Sequence, residues 1–332
     1  METIKLITNL LVDVIKTSVS AIIENFFMQN SRRQFIANAG MALAGSALMP
    51  NSLFAASKSN LVLGIQLYSV RDDMKKDPLG TLKQLAAMGY KNVEHANYID
   101  RKFYGYSAKE FVKFLNDLGM KMPSGHTVMK PEHWDASKKE FTDAWKYTIE
   151  DAAICGQKFV ISPWLDETLR KTYDGLLAYM DVFNKSGELC KKSGMKFGYH
   201  NHNFEFSSVL NGEKVFDIMI KHTDPNLVAQ QLDTGNMYGV GGRALDIVKA
   251  YPGRFELMHV KDEIASTVKG EMNDGYDSTV LGTGVVGVKA IIDEGKKSGG
   301  TTHFIIEQES YQDLTPLESA KRDLAIMKKW GY

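Results

Sequence analysis

"LVLGIQLYS" at residues 61–69, followed by "DPLGTLKQLAAMG" at residues 77–89, is the unit that decides the fold. The first stretch is a short, dense apolar run, as expected for a parallel strand that is covered on both faces. The second has helical periodicity, with Pro78 in its first turn and Gly89 at its end, which are common helix start and stop residues. The pair predicts one β-strand followed by one α-helix.

The same unit recurs along the rest of the chain. Eight units over about 270 residues match the size of a closed (β/α)8 TIM barrel, so we predict an α/β fold with one barrel domain over residues 57–332. A doubly wound open sheet is the alternative, but "GIQLYS" lacks the glycine-rich turn that cradles a pyrophosphate. The further strands are predicted at residues 91–96, 120–128, 158–164, 196–202, 227–236, 254–262 and 303–310, with helices that include residues 107–118, 138–155 and 315–329.

The bulk composition argues against several classes of protein. The 332 residues include 40 Lys and Arg and 40 Asp and Glu, so the formal net charge is zero. A nucleic-acid-binding protein usually carries a basic excess, so we expect no nucleic-acid partner. Two cysteines are too few for a disulfide framework.

The first sixty residues have a different character. "SRRQFIANAGMALAGSALMP" at residues 31–50 has an arginine pair before a short apolar stretch, which is the layout of a twin-arginine export signal. We predict a signal peptide at residues 28–56, recognition by the export machinery, and a periplasmic protein. Residues 1–27 are interpreted as a start-site artefact upstream of Met28, with an amphipathic extension as the alternative.

Polar side chains cluster at the predicted C-terminal ends of the strands, where TIM barrels carry their active sites. Five of the eight histidines lie there. Asp233, His259 and Glu307 end three neighbouring strands, and such a mixed set of carboxylates and imidazoles suits a divalent cation. The strand-end residues are Gln66, Tyr68, Glu94, His95, His126, Trp164, His200, Asn201, His202, Asp233, His259, Lys261, Glu307 and Glu309.

With these residues in view, the chain from about 61 to 330 resembles the sugar isomerase/epimerase family of xylose-isomerase-like barrels, which includes inosose dehydratases and ketose 3-epimerases. The matching segments are "GIQLYSVRD" (64–72), "GYHNHNFEF" (198–206), "QLDTGN" (231–236), "HVKD" (259–262), "LGTGVV" (281–286) and "IIEQE" (305–309). The resemblance implies one divalent metal ion, Mn²⁺, Co²⁺, Zn²⁺ or Mg²⁺, bound from strands five to eight. The implied ligands in this sequence are His200, Asp233, His259 and Glu307, with His202 and Glu205 as rivals for the first position.

The first of these positions departs from the family pattern. A glutamate that pairs with the strand-eight glutamate in ketose epimerases is replaced here by His200, and a metal-bound imidazole has no free lone pair with which to take a proton. The two-glutamate epimerase mechanism is therefore in doubt. Dehydratase or lyase chemistry is favoured, in which a base removes a proton next to a ketone and an acid assists the departing oxygen.

Candidate roles follow from this hypothesis. Trp164 offers an aromatic face to a sugar ring. For Glu94, the alternative to an acid/base role is to orient a histidine. For Lys261, the alternative is a salt bridge at the rim of the barrel. The expected acid/base groups are Glu307, Lys261, His126, His202 and Glu94. The expected substrate-binding groups are Gln66, Tyr68, Trp164, Glu205 and Asn236.

The expected substrate is a small carbohydrate without a phosphate, either a free keto-sugar or a 3-keto-glycoside. Glu307, Glu309 and Asp313 make the end of strand eight acidic, which would repel a phosphate dianion, although the glycine-flanked "LGTGVVG" points the other way. Alternative hypotheses are an isomerase or 3-epimerase of a free sugar, a non-catalytic sugar-binding barrel and an endonuclease-like phosphodiesterase.

Overall fold

The computed structural model describes residues 61–332, and the predicted signal peptide and the segment before it lie outside these residues. Eight strands form the sheet: β1 (Val62–Gln66), β2 (Asn92–His95), β3 (Lys121–His126), β4 (Phe159–Ser162), β5 (Lys196–His200), β6 (Val228–Asp233), β7 (Leu257–Val260) and β8 (His303–Ile306). They are parallel and close into one barrel in the order β1–β8–β7–β6–β5–β4–β3–β2, which confirms the predicted TIM barrel.

Each strand is followed by a helix that packs on the outside of the barrel. The first begins after Asp77, whose side chain accepts a hydrogen bond from the N–H of Gly80, and ends at Gly89 in the left-handed conformation (φ 108°), as predicted. The helices are α1 (Pro78–Met88), α2 (Ala108–Asp117), α3 (Asp143–Ile154), α4 (Tyr173–Lys192), α5 (Val215–His222), α6 (Ala244–Ala250), α7 (Val288–Glu294) and α8 (Pro316–Lys329).

Helix α3 begins five residues later than the sequence pattern predicts, at Asp143 rather than near 138. The reason is a small antiparallel hairpin, in which Trp134–Asp135 pairs with Glu140–Phe141. Oδ1 of Asp135 accepts hydrogen bonds from the N–H groups of Ser137 and Lys138. This turn satisfies backbone groups that a longer helix would otherwise have used.

Additional short elements lie in the loops, most of them at the C-terminal end of the barrel. Strand β7 is followed by a hairpin that pairs Asp262–Ala265 with Tyr276–Thr279, and we call residues 262–279 the β7 hairpin. Other short pieces are the strands Tyr98–Ile99, Lys102–Phe103, Tyr106–Ser107, Val209–Leu210 and Glu213–Lys214, the helices Arg71–Lys76 and Phe204–Ser207, and turns of 3-10 or π-helix at Leu67–Val70, Pro131–His133, Glu167–Arg170 and Gly295–Gly299. Within residues 61–332, no helix is both long and apolar enough to cross a bilayer.

The barrel interior is filled with apolar residues near its middle and with polar residues at its C-terminal end. Phe159, Ile161, Ala229 and Leu257 form a small buried cluster. Gly198 lies in the same layer, because a Cβ at this position would come within 2.4 Å of Ile161 Cδ1. Since alternate residues of a strand share a face, the inward side chains one step further along the strands are polar.

Candidate metal centre and active site

The last inward-facing layer of the barrel brings the predicted site residues together. The strand register places Asp233 opposite His259, His200 opposite Gln231 and Gln66 opposite Glu94. All of these side chains are buried. The polar ends of separate strands therefore form one contiguous cluster, as the alternation of side chains predicts.

Four of the clustered side chains are placed so that they could hold a metal ion. One donor atom from each of His200, Asp233, His259 and Glu307 lies within 4.8 Å of the others. Nδ1 of His259 lies 3.0 Å from Oε2 of Glu307 and 3.9 Å from Oδ2 of Asp233. Two imidazoles and two carboxylates of this kind fit a divalent transition ion. They are the four residues that the sequence analysis expected.

The hydrogen bonds of Asp233 indicate whether a cation fits this site. Its Oδ1 accepts hydrogen bonds from the N–H groups of Gly235 at 2.8 Å and Asn236 at 2.7 Å, but its Oδ2 is buried without any hydrogen-bond partner. Burial raises the pKa of Asp233 to about 7. A buried carboxylate oxygen that lacks a partner is costly, and a cation bound by the four donors would satisfy it.

Glu94 orients His259. Its Oε1 accepts a hydrogen bond from Nε2 of His259 at 2.6 Å, which leaves Nδ1 of the same ring facing the carboxylates. Although burial opposes its ionisation, the imidazoles of His126 and His259 hold the pKa of Glu94 well below its usual range. Metal-ligating histidines commonly donate their second N–H to a carboxylate. Glu94 lies behind the imidazole and does not line the cavity, so its geometry favours the orienting role over the acid/base role.

Gln231 is a residue of this site that the sequence analysis missed. Its Oε1 lies 2.6 Å from Nε2 of His126 and 3.2 Å from Nδ1 of His200, and its Nε2 donates to Oε2 of Glu94 at 2.8 Å. It therefore links the two sides of the barrel mouth. Its position two residues before Asp233 on the same strand is the signal that could have identified it.

Lys261 is an internal anchor rather than a group at the surface of the cavity. The buried ammonium donates to Oε1 of Glu309 at 2.5 Å and to Oδ1 of Asn236 at 2.9 Å, and it lies 4.0 Å from Oε2 of Glu307. Burial lowers the pKa of Lys261, but the surrounding carboxylates, above all Glu309, hold it well above its usual range. These contacts favour an anchoring role for the ammonium over the predicted acid/base role.

A cavity of about 910 Å³ opens above the cluster, and it divides the predicted residues into two groups. Those that line it are Tyr68, His126, Trp164, His200, His202, Glu307 and Glu309. His202 contributes an imidazole whose Nδ1 has no hydrogen-bond partner. His126 packs on His200 and on His259, with its ring parallel to that of His259 at 5.0 Å.

Three predicted substrate-binding residues lie beneath the cavity surface instead. Gln66 is fully buried and donates from Nε2 to Oε1 of Glu94 at 2.8 Å. Asn236 donates its amide N–H to the carbonyl oxygen of Asn201 at 3.2 Å while accepting from Lys261. These two side chains support the site from behind, because their polar atoms are already engaged by protein.

Glu205 is the third predicted substrate-binding residue that lies beneath the cavity surface. It is also one of the two rivals of His200 as the first metal ligand, but it is not part of the four-residue cluster. Its Oε1 accepts from the hydroxyl of Tyr199 at 2.5 Å, and its Oε2 accepts from the N–H of His202 at 2.9 Å. Burial raises the pKa of Glu205 to about 7. The carboxyl group therefore fixes the turn after β5 and does not face the substrate cavity. His202, the other rival, faces the cavity but is also absent from the four-residue cluster.

The β7 hairpin closes one side of the site. Glu271 Oε2 lies 3.5 Å from the ammonium of Lys261, and its Oε1 accepts from the hydroxyl of Ser278 at 2.6 Å. Met272 lines the cavity, and its carbonyl oxygen accepts a hydrogen bond from Asn203 Nδ2 at 3.0 Å. These contacts hold the hairpin against the barrel mouth.

Curated relatives of this chain are inosose dehydratases. One from Clostridium perfringens is 37% identical over 172 residues, which cover 50% of this chain and 48% of that protein. Inosose dehydratase 1 from Bacillus cereus is 26% identical over 282 residues, covering 77% of this chain and 83% of that protein. The chain thus matches about half the length of the first relative and most of the second.

Solved structures show the same fold at low sequence identity. A sugar phosphate isomerase/epimerase from Parabacteroides distasonis superposes with a TM-score of 0.70 at 23% identity, covering 82% of this chain and 96% of that one. The IOLI protein, solved with a bound zinc atom, superposes with a TM-score of 0.63 at 14% identity, covering 81% and 98%. The family model described as xylose isomerase-like TIM barrel matches residues 82–330. This chain therefore belongs to the xylose isomerase-like TIM barrel family.

Proposed function

We propose that the protein is a metal-dependent lyase or dehydratase that removes a proton next to the ketone of a carbohydrate without a phosphate, a free keto-sugar or a 3-keto-glycoside. The observation that carries this proposal is the four-donor cluster at the cavity floor, with an unsatisfied carboxylate oxygen on Asp233. The inosose dehydratase relatives and the zinc-containing structural neighbour support it. The ion would be held by His200, Asp233, His259 and Glu307, and two imidazoles in the set favour Zn²⁺ or Co²⁺ over Mg²⁺.

The acid/base groups that line the cavity suit elimination, which requires a base for the C–H proton and an acid for the departing oxygen. Here the carboxylates of the described residues that face the inner cavity, Glu307 and Glu309, both follow β8, whereas His126 and His202 line the other side. One carboxylate base with imidazoles opposite suits removal of a proton and protonation of a departing oxygen.

In the proposed reaction a bound divalent cation supplies Lewis-acid polarisation of the ketone. Glu307 is the base: although burial opposes its charge, His259 and Lys261 hold the pKa of Glu307 well below its usual range, so the carboxylate is ionised. The proton passes to Glu307, and the C–H electron pair forms a carbon–carbon double bond. The β C–O pair leaves with the oxygen, which receives a proton from the side of His126 and His202.

The charges of the cavity favour a neutral substrate. Among the described residues that line it, the permanently cationic side chains are Arg101 and Lys130. Arg101 is already paired with Asp151 at 2.8 Å and Glu150 at 2.8 Å. A phosphate would therefore meet the carboxylates of Glu307 and Glu309, with Lys130, which lies 3.9 Å from Glu132, as the one remaining cation of the described lining.

We test the proposal by comparing kcat/KM for a free ketose, its phosphate and a 3-keto-glycoside with protein loaded with Zn²⁺ or Co²⁺. The 3-keto-glycoside or the free ketose is expected to give the highest value, and Asp233→Ala is expected to abolish turnover. A clear preference for the phosphate would refute the assignment of substrate class.

We also propose that the protein works in the periplasm, after export by the twin-arginine route and cleavage near residue 57. Arg32 and Arg33 followed by the apolar stretch of residues 35–49 support this proposal. These residues lie outside the part of the chain that the structure describes. An exported enzyme would rarely meet sugar phosphates, which agrees with the neutral substrate.

A further inference from the structure

The cavity has two chemically different halves. The candidate metal ligands come from β5 to β8, whereas the loops after β1, β2 and β4 supply exposed apolar side chains to the opposite half. These are Tyr68 (43% exposed), Ile99 (61%) and Trp164 (41%), and we call them the apolar rim. Single exposed apolar residues are normal on a protein surface, but several that face one cavity indicate a binding surface.

The cavity is larger than a single sugar ring requires. Pockets of roughly 300–1,000 Å³ hold drug-sized ligands, and the cavity of about 910 Å³ is at the upper end of that range. A hexose of about 12 non-hydrogen atoms, seated on the cavity floor, would leave the apolar rim uncovered and the outer half of such a pocket filled with water.

The side chains of the rim are held in place by neighbouring groups. The guanidinium of Arg71 lies 4.8 Å from the ring centre of Tyr68. Trp164 packs edge to face against His202 at 5.2 Å. The short hairpin that carries Ile99 is fixed by the hydroxyl of Tyr98, which donates to Asp151 at 2.6 Å. Side chains that are ordered in advance lose less entropy when a ligand binds.

The side chains of the rim carry no charge of their own. Within residues 61–332, the permanently cationic residues that line the cavity are Arg101 and Lys130; Arg101 is paired with Asp151 and Glu150, and Lys130 lies 3.9 Å from Glu132. Asp100 adds a carboxylate to the same edge. Aromatic faces bind the apolar faces of uncharged rings.

We propose that the apolar rim is a second subsite, which binds an uncharged ring attached to the sugar whose ketone lies at the metal centre. This inference rests on the proposed function and narrows it: of the two neutral substrate classes, it selects the glycoside. The second ring is an aryl group or a second sugar, since both present an apolar face, and the leaving oxygen of the elimination is the one that joins the two rings.

Binding of unoxidised glycosides tests the subsite without requiring turnover. Affinities of the full-length protein for a phenyl glucoside, a glucosyl disaccharide, methyl glucoside and glucose 6-phosphate are measured by calorimetry, with Zn²⁺ present. We expect the phenyl glucoside or the disaccharide to bind at least about tenfold more tightly than methyl glucoside, a difference of about 1.4 kcal/mol. The identity of the better ligand distinguishes an aryl group from a second sugar.

Variants of the rim locate the effect. Trp164→Ala and, independently, Tyr68→Ala should each reduce the preference for the larger glycoside to about threefold or less, while Val285→Ala, an exposed apolar control away from the cavity, should preserve it. Thermal melting checks that each variant is folded. Equal affinities for all glycosides, a preference that survives both rim substitutions, or tighter binding of glucose 6-phosphate overturns the inference. Because these ligands do not react, a failed turnover assay leaves this result intact, and the two proposals fail separately.

Discussion

The imidazole of His259 and the carboxylate of Glu94 are joined by a hydrogen bond of 2.6 Å between Nε2 and Oε1. The bond connects β7 to β2 across the barrel and turns Nδ1 of His259 towards Asp233 and Glu307. Because both partners are fully buried, this contact fixes the orientation of the ring together with the packing around it and the contact of Nδ1 with Glu307. The metal centre that we propose depends on it.

Replacement of Glu94 by Gln should therefore weaken metal binding without removing a ligand. The amide retains one acceptor, but its NH₂ group would face the donors of Gln66 or Gln231, which now bond to the carboxylate. Loss of such an orienting carboxylate typically lowers metal affinity about 10- to 100-fold. A competition assay with a zinc chelator measures the change. Glu188→Gln, on the exposed face of α4, is the control and should have no effect; equal affinities of Glu94→Gln and wild type would contradict the orienting role.

The metal ligand that follows from β5 can be identified by comparing the His200→Ala and Glu205→Ala variants. We expect His200→Ala to lose the bound metal ion, as Asp233→Ala and His259→Ala should, because each removes one of four converging donors. Glu205→Ala should retain it, since this carboxyl group bonds to Tyr199 and to the backbone of His202 instead. Elemental analysis after dialysis gives the metal content. Retention by His200→Ala with loss in Glu205→Ala would mean that the ligand from β5 has been misassigned.

Much of this arrangement could be predicted from the sequence, because the inward face of a strand is fixed by alternation. Each of the four candidate ligands ends an apolar run at a position whose side chain, by alternation along the strand, points into the barrel. They therefore meet at the barrel mouth, and they are His200, Asp233, His259 and Glu307. All eight strands were found, although the predicted strands extended a few residues into the loops. Barrel pairing ends at His200, for example, while the pattern suggested that the strand continues to His202.

The depth of a side chain could not be predicted in the same way. Gln66 and Asn236 were assigned to substrate binding and lie beneath the cavity surface, because their partners Glu94 and Lys261 come from distant parts of the chain. Lys261 was assigned to acid/base chemistry, and a carboxylate on the loop after β8 and another on the β7 hairpin surround it. Such tertiary contacts leave no trace in local sequence.

The buried Glu205 should make stability depend on pH. Its pKa is raised from 4.5 to about 7, so the neutral form is the one that the fold favours. The stabilisation of the fold by the neutral carboxyl group is fully present below pH 4.5 and is lost as the pH rises through 7. At about 1.4 kcal/mol per pKa unit, the loss approaches about 3 kcal/mol at pH 8.

The Glu205→Gln variant tests this dependence, because its amide imitates the neutral carboxyl group: it can donate to Tyr199 and accept from the N–H of His202. The free energy of unfolding, measured with urea, should fall less between pH 5 and pH 8 in the variant than in wild type. Glu188→Gln is the matched control, and its free energy of unfolding should fall as much as that of wild type. Parallel declines in Glu205→Gln and wild type would show that Glu205 titrates normally.

Export can be tested on the arginine pair of the predicted signal. Replacement of both Arg32 and Arg33 by Lys should leave the chain in the cytoplasm, because the signal is read by a receptor that recognises the pair. Cell fractionation followed by N-terminal sequencing is expected to find wild-type protein in the periplasm with a new start near residue 57. An uncut wild-type chain in the cytosol, unchanged by the double substitution, would contradict export.

The mass of the product formed in D₂O from a 3-keto-glycoside tests the central claim most directly, since elimination and isomerisation differ in mass. For wild-type protein loaded with Zn²⁺ or Co²⁺, we expect two products, an unsaturated keto-sugar and the released alcohol. Turnover should cease in Glu307→Gln, which keeps the shape of the proposed base without its charge. A single product with the mass of the substrate, apart from added deuterium, would contradict the account and identify an isomerase or epimerase.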